Sequence, residues 1–225
     1  MKIRSDQDIL KCWQKNVQPW VKAVRNGEIE SRIRVTNNAI VAAVNNRNPG
    51  NVLDLGCGEG WLVRELAKLG IDCLGVDGIP ELIDYARQAG GGRFQVVPLE
   101  TLSKQIIKEK FDVIVCNFSL LGHESVLRVF QQTPRLLNEG GAFIVQTIHP
   151  RCRSDAEKYE DGWRKGSWSG FADEFCDPAP WYFRTLETWQ ILFTTNGFRS
   201  VEILEPVDIK TNMPASVIFI GVRER

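Results

Sequence analysis

Val52-Leu53-Asp54-Leu55-Gly56-Cys57-Gly58-Glu59-Gly60 reads as a short buried strand, a tight glycine turn and the start of a helix. The apolar run ends in three alternating glycines, which let the backbone turn sharply and approach a ligand without Cβ interference. Trp61, Leu62, Leu66 and Leu69 then recur near helical spacing, so the turn opens a helix. This strand–turn–helix context separates a nucleotide-type loop from a flexible linker. The dinucleotide fingerprint needs glycine where Trp61 stands, and the Gly-Lys-Ser/Thr of a P-loop is absent. Asp54 and Glu59 flank the turn with no Lys or Arg inside it, an arrangement that would repel a pyrophosphate. The two acids are expected to suit a ligand with positive charge, such as one carrying a sulfonium and an ammonium.

A further acid extends the pattern. Ile71-Asp72-Cys73-Leu74-Gly75-Val76 reads as the neighbouring parallel strand, ending at Asp77, with Pro80 placed to begin another helix. An acid at the carboxyl end of that strand accepts hydrogen bonds from ribose hydroxyls in doubly wound sheets. A helix N-cap or solvated loop acid is the plainer alternative.

Asp54-Leu55-Gly56-Cys57-Gly58-Glu59-Gly60, Asp77, Phe111-Asp112-Val113-Ile114-Val115-Cys116 and Leu136-Leu137-Asn138-Glu139-Gly140-Gly141 follow one another in order across residues 50–150. With this ordered set the chain resembles the class I S-adenosylmethionine-dependent methyltransferases, and its core is similar to quinone-biosynthesis O-methyltransferases. It departs from their pattern with Glu139 where proline is usual and with Thr133-Pro134, which should kink or shorten the preceding helix. The resemblance implies S-adenosylmethionine as cofactor and S-adenosylhomocysteine as product. It implies cofactor contacts from Asp54, Gly56, Cys57, Gly58, Asp77 and Gly78, with adenine against Leu99, Glu100 and Thr101. The backbone at Asn117 should lie beside the methionine moiety, and Phe118 or Leu121 should cover the adenine or the methyl group. A helix-start acid is the alternative for Glu100. For Cys57, a small residue in a crowded turn is favoured over an activated thiolate.

The fold expected is α/β: a Rossmann-like, seven-stranded, mostly parallel sheet with helices on both faces and an antiparallel last strand. Strands are expected near 51–55, 71–76, 93–97, 111–116, 141–147, 198–205 and 216–223. Helices are expected near 60–69, 80–89, 101–109, 123–137 and 184–195. Right-handed crossovers then bring the parallel strands' carboxyl ends to one ligand-binding rim.

The 225 residues suffice for one sizeable domain, divided as an N-terminal helical cap over 1–45 and a methyltransferase domain over 46–225 with a lid insertion at 149–184. Lys plus Arg and Asp plus Glu both number 28, so no global field draws in nucleic acid or an anionic membrane. No apolar run approaches membrane-spanning length and the start lacks a signal peptide's apolar core. The six cysteines contain no CxxC pair, which points to free thiols in a cytoplasmic protein, and with only two histidines no metal site is expected.

Both additions look like substrate chemistry. Trp13 and Trp20 lie in the first, with Arg32 placed either as a bidentate partner of the cofactor carboxylate or as a solvated helix residue. The insertion carries Trp163, Trp168, Trp181, Tyr182 and other rings, which either form a satellite core or wall a water-excluding cavity. Trp20, Trp163, Trp168, Trp181, Tyr182 and Arg184 are the expected acceptor-site residues. Arg151, Arg153 and Arg164 are further candidates for an anionic group, or partners of Asp155 and Glu157. His149, directly after strand five, is either a general base or a structural histidine ordering the turn before Pro150. The expected activity is methyl transfer to oxygen or nitrogen of a small-molecule acceptor, the alternative being a cofactor-binding scaffold or sensor. Missing basic patches and the absence of an Asn/Asp-Pro-Pro-aromatic motif argue against a nucleic-acid acceptor. Sequence leaves the acceptor's identity and the oligomeric state open.

Overall fold

The computed structural model describes residues 4–151 and 158–223; Cys152, Arg153, Asp155 and Glu157 lie outside the described residues. The chain begins with α1 (Asp6–Lys15) and α2 (Val17–Arg25), then a π-helical turn (Arg32–Thr36) that runs into α3 (Asn37–Asn45). Alternation follows: β1 (Asn51–Leu55), α4 (Trp61–Lys68), β2 (Asp72–Asp77), α5 (Pro80–Ala89), β3 (Arg93–Val96), β4 (Phe111–Asn117), α6 (Glu124–Leu136) and β5 (Leu137–Thr147). The insertion contributes a short antiparallel pair, β6 (Gly162–Arg164) and β7 (Trp181–Phe183), before α7 (Leu186–Thr195). β8 (Phe198–Leu204), a small hairpin β9 (Val207–Asp208) and β10 (Met213–Pro214), and β11 (Val217–Arg223) complete the chain.

The seven-stranded sheet has the order β3-β2-β1-β4-β5-β11-β8, and β11 runs antiparallel to both its neighbours. Alternate residues of each central strand feed two cores, as the period of two in a strand requires. Leu53, Leu55, Ile114, Cys116, Phe143 and Val145 pack with α6 and α7 residues such as Phe130 and Phe193 on one face. Val52, Val113, Val115 and Ile144 pack with Ile40, Val44, Leu62 and Leu66 of α3 and α4 on the other. α3 therefore belongs to the sheet's covering layer, and the part of the N-terminal segment outside it is α1 and α2. Those helices form a satellite cluster in which Val17 and Val21 meet Ile79 and Leu82.

Two expectations are corrected. No helix forms over 101–109; a single 3-10 turn at Leu99–Thr101 precedes irregular chain. Only Leu102 and Ile107 reach the core there, five positions apart, which makes no helical stripe. The Leu102 carbonyl is taken instead by Arg128 Nε at 2.9 Å. β5 also starts earlier than 141, at Leu137, directly behind α6. Pro134 has no N–H to return to the Phe130 carbonyl, which accepts the Thr133 hydroxyl at 3.4 Å, and the helix ends two residues later.

Candidate cofactor and acceptor cavity

The carboxyl ends of β1, β2 and β4 meet at one rim, and above it lies a cavity of about 540 Å³. That volume sits in the range of about 300–1,000 Å³ usual for small-molecule sites. Its floor is the glycine turn. Gly56, Gly58 and Gly60 all adopt left-handed φ, at 76°, 57° and 84°. At Gly56 the lack of a side chain also has a local reason: a Cβ there would collide with Ser119, whose hydroxyl donates to the Leu55 carbonyl at 2.6 Å.

Asp77 binds the turn to the next strand. Its Oδ2 accepts the Gly58 N–H and its Oδ1 the Ile79 N–H, each at 2.9 Å. Burial raises its pKa while those backbone donors pull it down. Each carboxylate oxygen has a second lone pair, so Asp77, which lines the cavity with Gly78, can still accept from a ligand hydroxyl.

The turn's two flanking acids behave otherwise than expected. Glu59 is fully buried and faces away from any ligand: Arg64 Nη2 meets its Oε1 at 2.6 Å and Arg25 Nε meets its Oε2 at 2.9 Å. Two guanidiniums thus neutralise it. Asp54 does not line the cavity either; it lies beneath the turn with Oδ1 unpartnered. Burial first, and the nearby Asp77 second, push its carboxyl up to about 8. The Asp54–Glu59 pair therefore does not face the cavity, and Asp6, Asp77 and Glu100 are the acids that line it. Cys57 lines the cavity as a buried thiol, raised by burial and then by Asp54 and Asp77, which fits the packing role.

Around this floor several buried polar atoms lack a partner: Arg32 Nη2, Thr36 Oγ1, Glu100 Oε2 and Asn117 Oδ1. All four residues line the cavity. Unpaired buried polar atoms are rare and costly, so four around one cavity mark where a polar ligand would be gripped. Arg32 is not a solvated helix residue. The residue is 8% exposed, its guanidinium lying over the rings of Trp61 at 4.8 Å and Trp20 at 5.5 Å, with Nε donating to Asn37 Oδ1 at 3.2 Å. Burial lowers its pKa to about 10, leaving it charged at neutral pH. The π-helical turn places Arg32 and Thr36 together, a use of such turns common at functional sites. Phe118 holds a left-handed φ of 53°, a conformation unfavourable for a bulky residue, and lines the cavity after β4. Leu99 lines it too, whereas Thr101 does not; its hydroxyl donates to the Pro98 carbonyl at 2.9 Å.

The upper wall comes from α1, α2 and the insertion: Trp13 and Trp20 on one side, Trp168, Trp181, Tyr182 and Arg184 on the other. The two sides are tied together. Asn16, wholly buried, donates to the Cys12 and Cys176 carbonyls at 2.7 and 2.8 Å and accepts the Cys176 N–H at 2.9 Å. Trp13 meets Trp168 edge-on at 5.5 Å, and Lys15 and Lys22 pair with Asp177 and Glu174. Asp6 caps α6 by accepting the His123 and Ser125 N–H groups at 2.8 and 2.6 Å.

Trp163 and His149 are not brought into the cavity. Trp163 packs edge-on against Tyr182 at 5.6 Å, behind the wall. His149 is buried with both ring nitrogens engaged, Nε2 on Glu205 at 2.7 Å and Nδ1 accepting the Arg151 N–H at 3.2 Å. Its neighbours Ile148 and Pro150 line the cavity and it does not; beyond the end of β5 its ring is held by Glu205 instead. The structural reading of His149 replaces the base. Arg151 pairs with Glu187 at 2.9 Å, on the surface. Sequence reasoning had not singled out Asp6, Thr36, Trp61 or Trp189 as lining residues. Only Thr36 left a trace, four positions from Arg32 in a helical stretch.

A model of the methyltransferase domain matches residues 30–203. The chain belongs to the methyltransferase-domain family. An uncharacterized methyltransferase of Schizosaccharomyces pombe is 33% identical over 191 residues, 76% of this chain and 67% of that relative. A ubiquinone biosynthesis O-methyltransferase of Glaesserella parasuis is 28% identical over 161 residues, 66% of this chain and 67% of its own length. Among solved structures, an S-adenosylmethionine-dependent methyltransferase of Mesorhizobium loti superposes with a TM-score of 0.62. At 23% identity it covers 82% of this methyltransferase and 96% of its own chain, and so establishes the shared fold. The described helices include none long and apolar enough to cross a membrane.

Proposed function

We propose that this methyltransferase binds S-adenosylmethionine in the cavity above the glycine turn and transfers its methyl group to oxygen or nitrogen of a small-molecule acceptor. The observation that carries the reading is a set of buried polar atoms without a protein partner, Arg32 Nη2, Glu100 Oε2 and Asn117 Oδ1, on residues that line the same cavity as Asp77. This set fits an adenosyl amino acid group by group. Glu100 would accept from the adenine amine, Asp77 from the ribose hydroxyls, and Asn117 from the ammonium. Arg32 would supply N–H donors and charge to the carboxylate. The relatives named methyltransferases, one of them acting in ubiquinone biosynthesis, support the same reading.

When bound, S-adenosylmethionine supplies an electrophilic methyl carbon on a sulfonium. The protein's part is alignment and exclusion of water. The residues lining the cavity would hold the acceptor's oxygen or nitrogen against that carbon, with sulfur as the leaving group keeping the C–S electron pair and the acceptor's proton passing to solvent. Holding such reactants at contact distance is worth roughly 7–11 kcal/mol in well-oriented systems. Rings from both walls, Trp13, Trp20, Trp168 and Trp181, shield the path and offer π-faces to the sulfonium. With His149 turned away, in-line positioning carries the chemistry in this reading.

Calorimetric titration of the folded protein with S-adenosylmethionine and S-adenosylhomocysteine tests it. The expected result is saturable one-to-one binding of both, abolished or strongly weakened in Arg32→Met. Heat-silent titrations confirmed by equilibrium dialysis would overturn the assignment.

A further inference from the structure

Arg32 and Arg184 are the two buried arginines among the described residues, and both line the same cavity. Two buried carboxylates are treated differently: Glu59 is met by two guanidiniums and Asp208 by that of Arg34. Arg184 has no such counter-charge. Its Nη1 donates to the Gly122 carbonyl at 2.9 Å and its Nη2 to the His123 carbonyl at 3.3 Å, uncharged acceptors that orient it without cancelling it. Its guanidinium carbon lies 4.7 Å from the centre of the Tyr182 ring and 5.3 Å from that of Trp189, both cavity-lining residues.

The nearest acids are already committed. Asp6 caps α6 through two backbone N–H groups, and Asp161 accepts the Thr185 N–H at 2.9 Å. Both favour the charged guanidinium, yet neither is in ion-pair contact with it. Of five guanidinium N–H groups two are used, so the fork retains donors for a planar anion. Arg184 is fixed to the loop after β4 and to the start of α6, between the insertion and α1. The cavity wall that α1 and the insertion build carries the rings Trp13, Trp168, Phe171, Trp181 and Tyr182, beside Asp6, Lys165 and Ser167. Such walls favour a flat ring over a sugar or peptide.

We infer that the acceptor is an aromatic carboxylate, its ring held between the insertion's and α1's aromatic side chains and its carboxylate received by Arg184. This rests on the proposed cofactor reading, which assigns the Arg32 end to the donor and leaves the Arg184 end to the acceptor.

The test is titration of the protein, saturated with S-adenosylhomocysteine, with benzoate, salicylate, anthranilate and para-hydroxybenzoate, each against its own primary amide. The amide keeps the ring and shape and removes the charge. Wild type is expected to prefer the acid in at least one pair by about tenfold or more, as a charge-assisted bidentate contact implies. Arg184→Gln should erase that preference while S-adenosylhomocysteine affinity is retained. Arg184→Lys, which keeps the charge but not the fork, should retain part of it and provides the comparison if the glutamine variant does not fold. Equal binding of acid and amide in all four pairs, or an acid preference that survives in Arg184→Gln, overturns the inference alone. Failure of wild type to bind S-adenosylhomocysteine overturns the proposed function and this inference with it.

Discussion

Replacing Asp54 by asparagine should change how stability depends on pH while leaving the fold's shape intact. Asp54 is buried under the glycine turn, and its carboxyl is pushed up to about 8 by burial and by Asp77. In the unfolded chain an aspartic acid titrates near ~3.9. Folding therefore takes up a proton between those two values. The stability contribution of the protonated group is fully present below the unfolded pKa and is lost as pH rises through the folded one. The slope in that window is about 1.4 kcal/mol per pH unit, which makes about 3–4 kcal/mol between roughly pH 5 and pH 8. An asparagine side chain is close in shape and never ionises. The assay is urea unfolding of wild type and Asp54→Asn across that pH range, read as the difference in unfolding free energy. Titrating groups common to both proteins cancel in that difference. Asp54→Asn is expected to gain on wild type steadily as pH rises. A difference that stays flat to within about 0.5 kcal/mol would mean that Asp54 is ionised in the folded state and that the reasoning is wrong.

Three further outcomes follow from the site. Asp77→Ala should weaken S-adenosylhomocysteine binding by about 1–3 kcal/mol, because it removes both the proposed ribose acceptor and the two backbone bonds that hold Gly58 and Ile79; calorimetry showing unchanged affinity would undo the ribose role. His149→Ala should spare cofactor affinity and kcat but lower the melting temperature, since the ring bridges Glu205 and the Arg151 N–H. A large fall in kcat with an intact fold would restore His149 as a base. Asn16→Ala should release the contact between α1 and the insertion, costing about 1–3 kcal/mol through buried groups left unpaired and speeding limited proteolysis of the insertion; an unchanged digestion rate would argue that the aromatic contacts alone hold the two together.

The glycine turn and the strands were legible from local pattern, because each is written in a few adjacent residues: apolar runs, glycine spacing and the proline opening α5; the antiparallel direction of the last strand came only from the family resemblance. The 101–109 stretch misled for the same reason. Its composition suits a helix, but a helix needs a face to bury, and only Leu102 and Ile107 find the core. Charge was harder to read than shape. Glu59 looked like a ligand-facing acid because Arg25, 34 positions away, cannot be seen to reach it in sequence. Arg32 looked solvated because nothing local reveals Trp20 and Trp61 on either side of it. The direction of the His149 ring depended on where β5 ended and on Glu205, 56 positions distant. Contacts of that range are tertiary facts, and a single chain read residue by residue does not contain them.

The Asn16–Cys176 contact joins positions 160 apart, and the first of them lies ahead of residue 30, where the family match begins. The glycine turn thus lies within the matched domain, while enclosure of the cavity depends also on α1, ahead of it. Removing the residues ahead of 30 should leave a groove that, on the proposed reading, still holds the nucleoside but lets bulk solvent reach the reacting carbon. Changes of acceptor can accordingly be made by rewriting α1 and the residues facing it, with the donor platform left untouched.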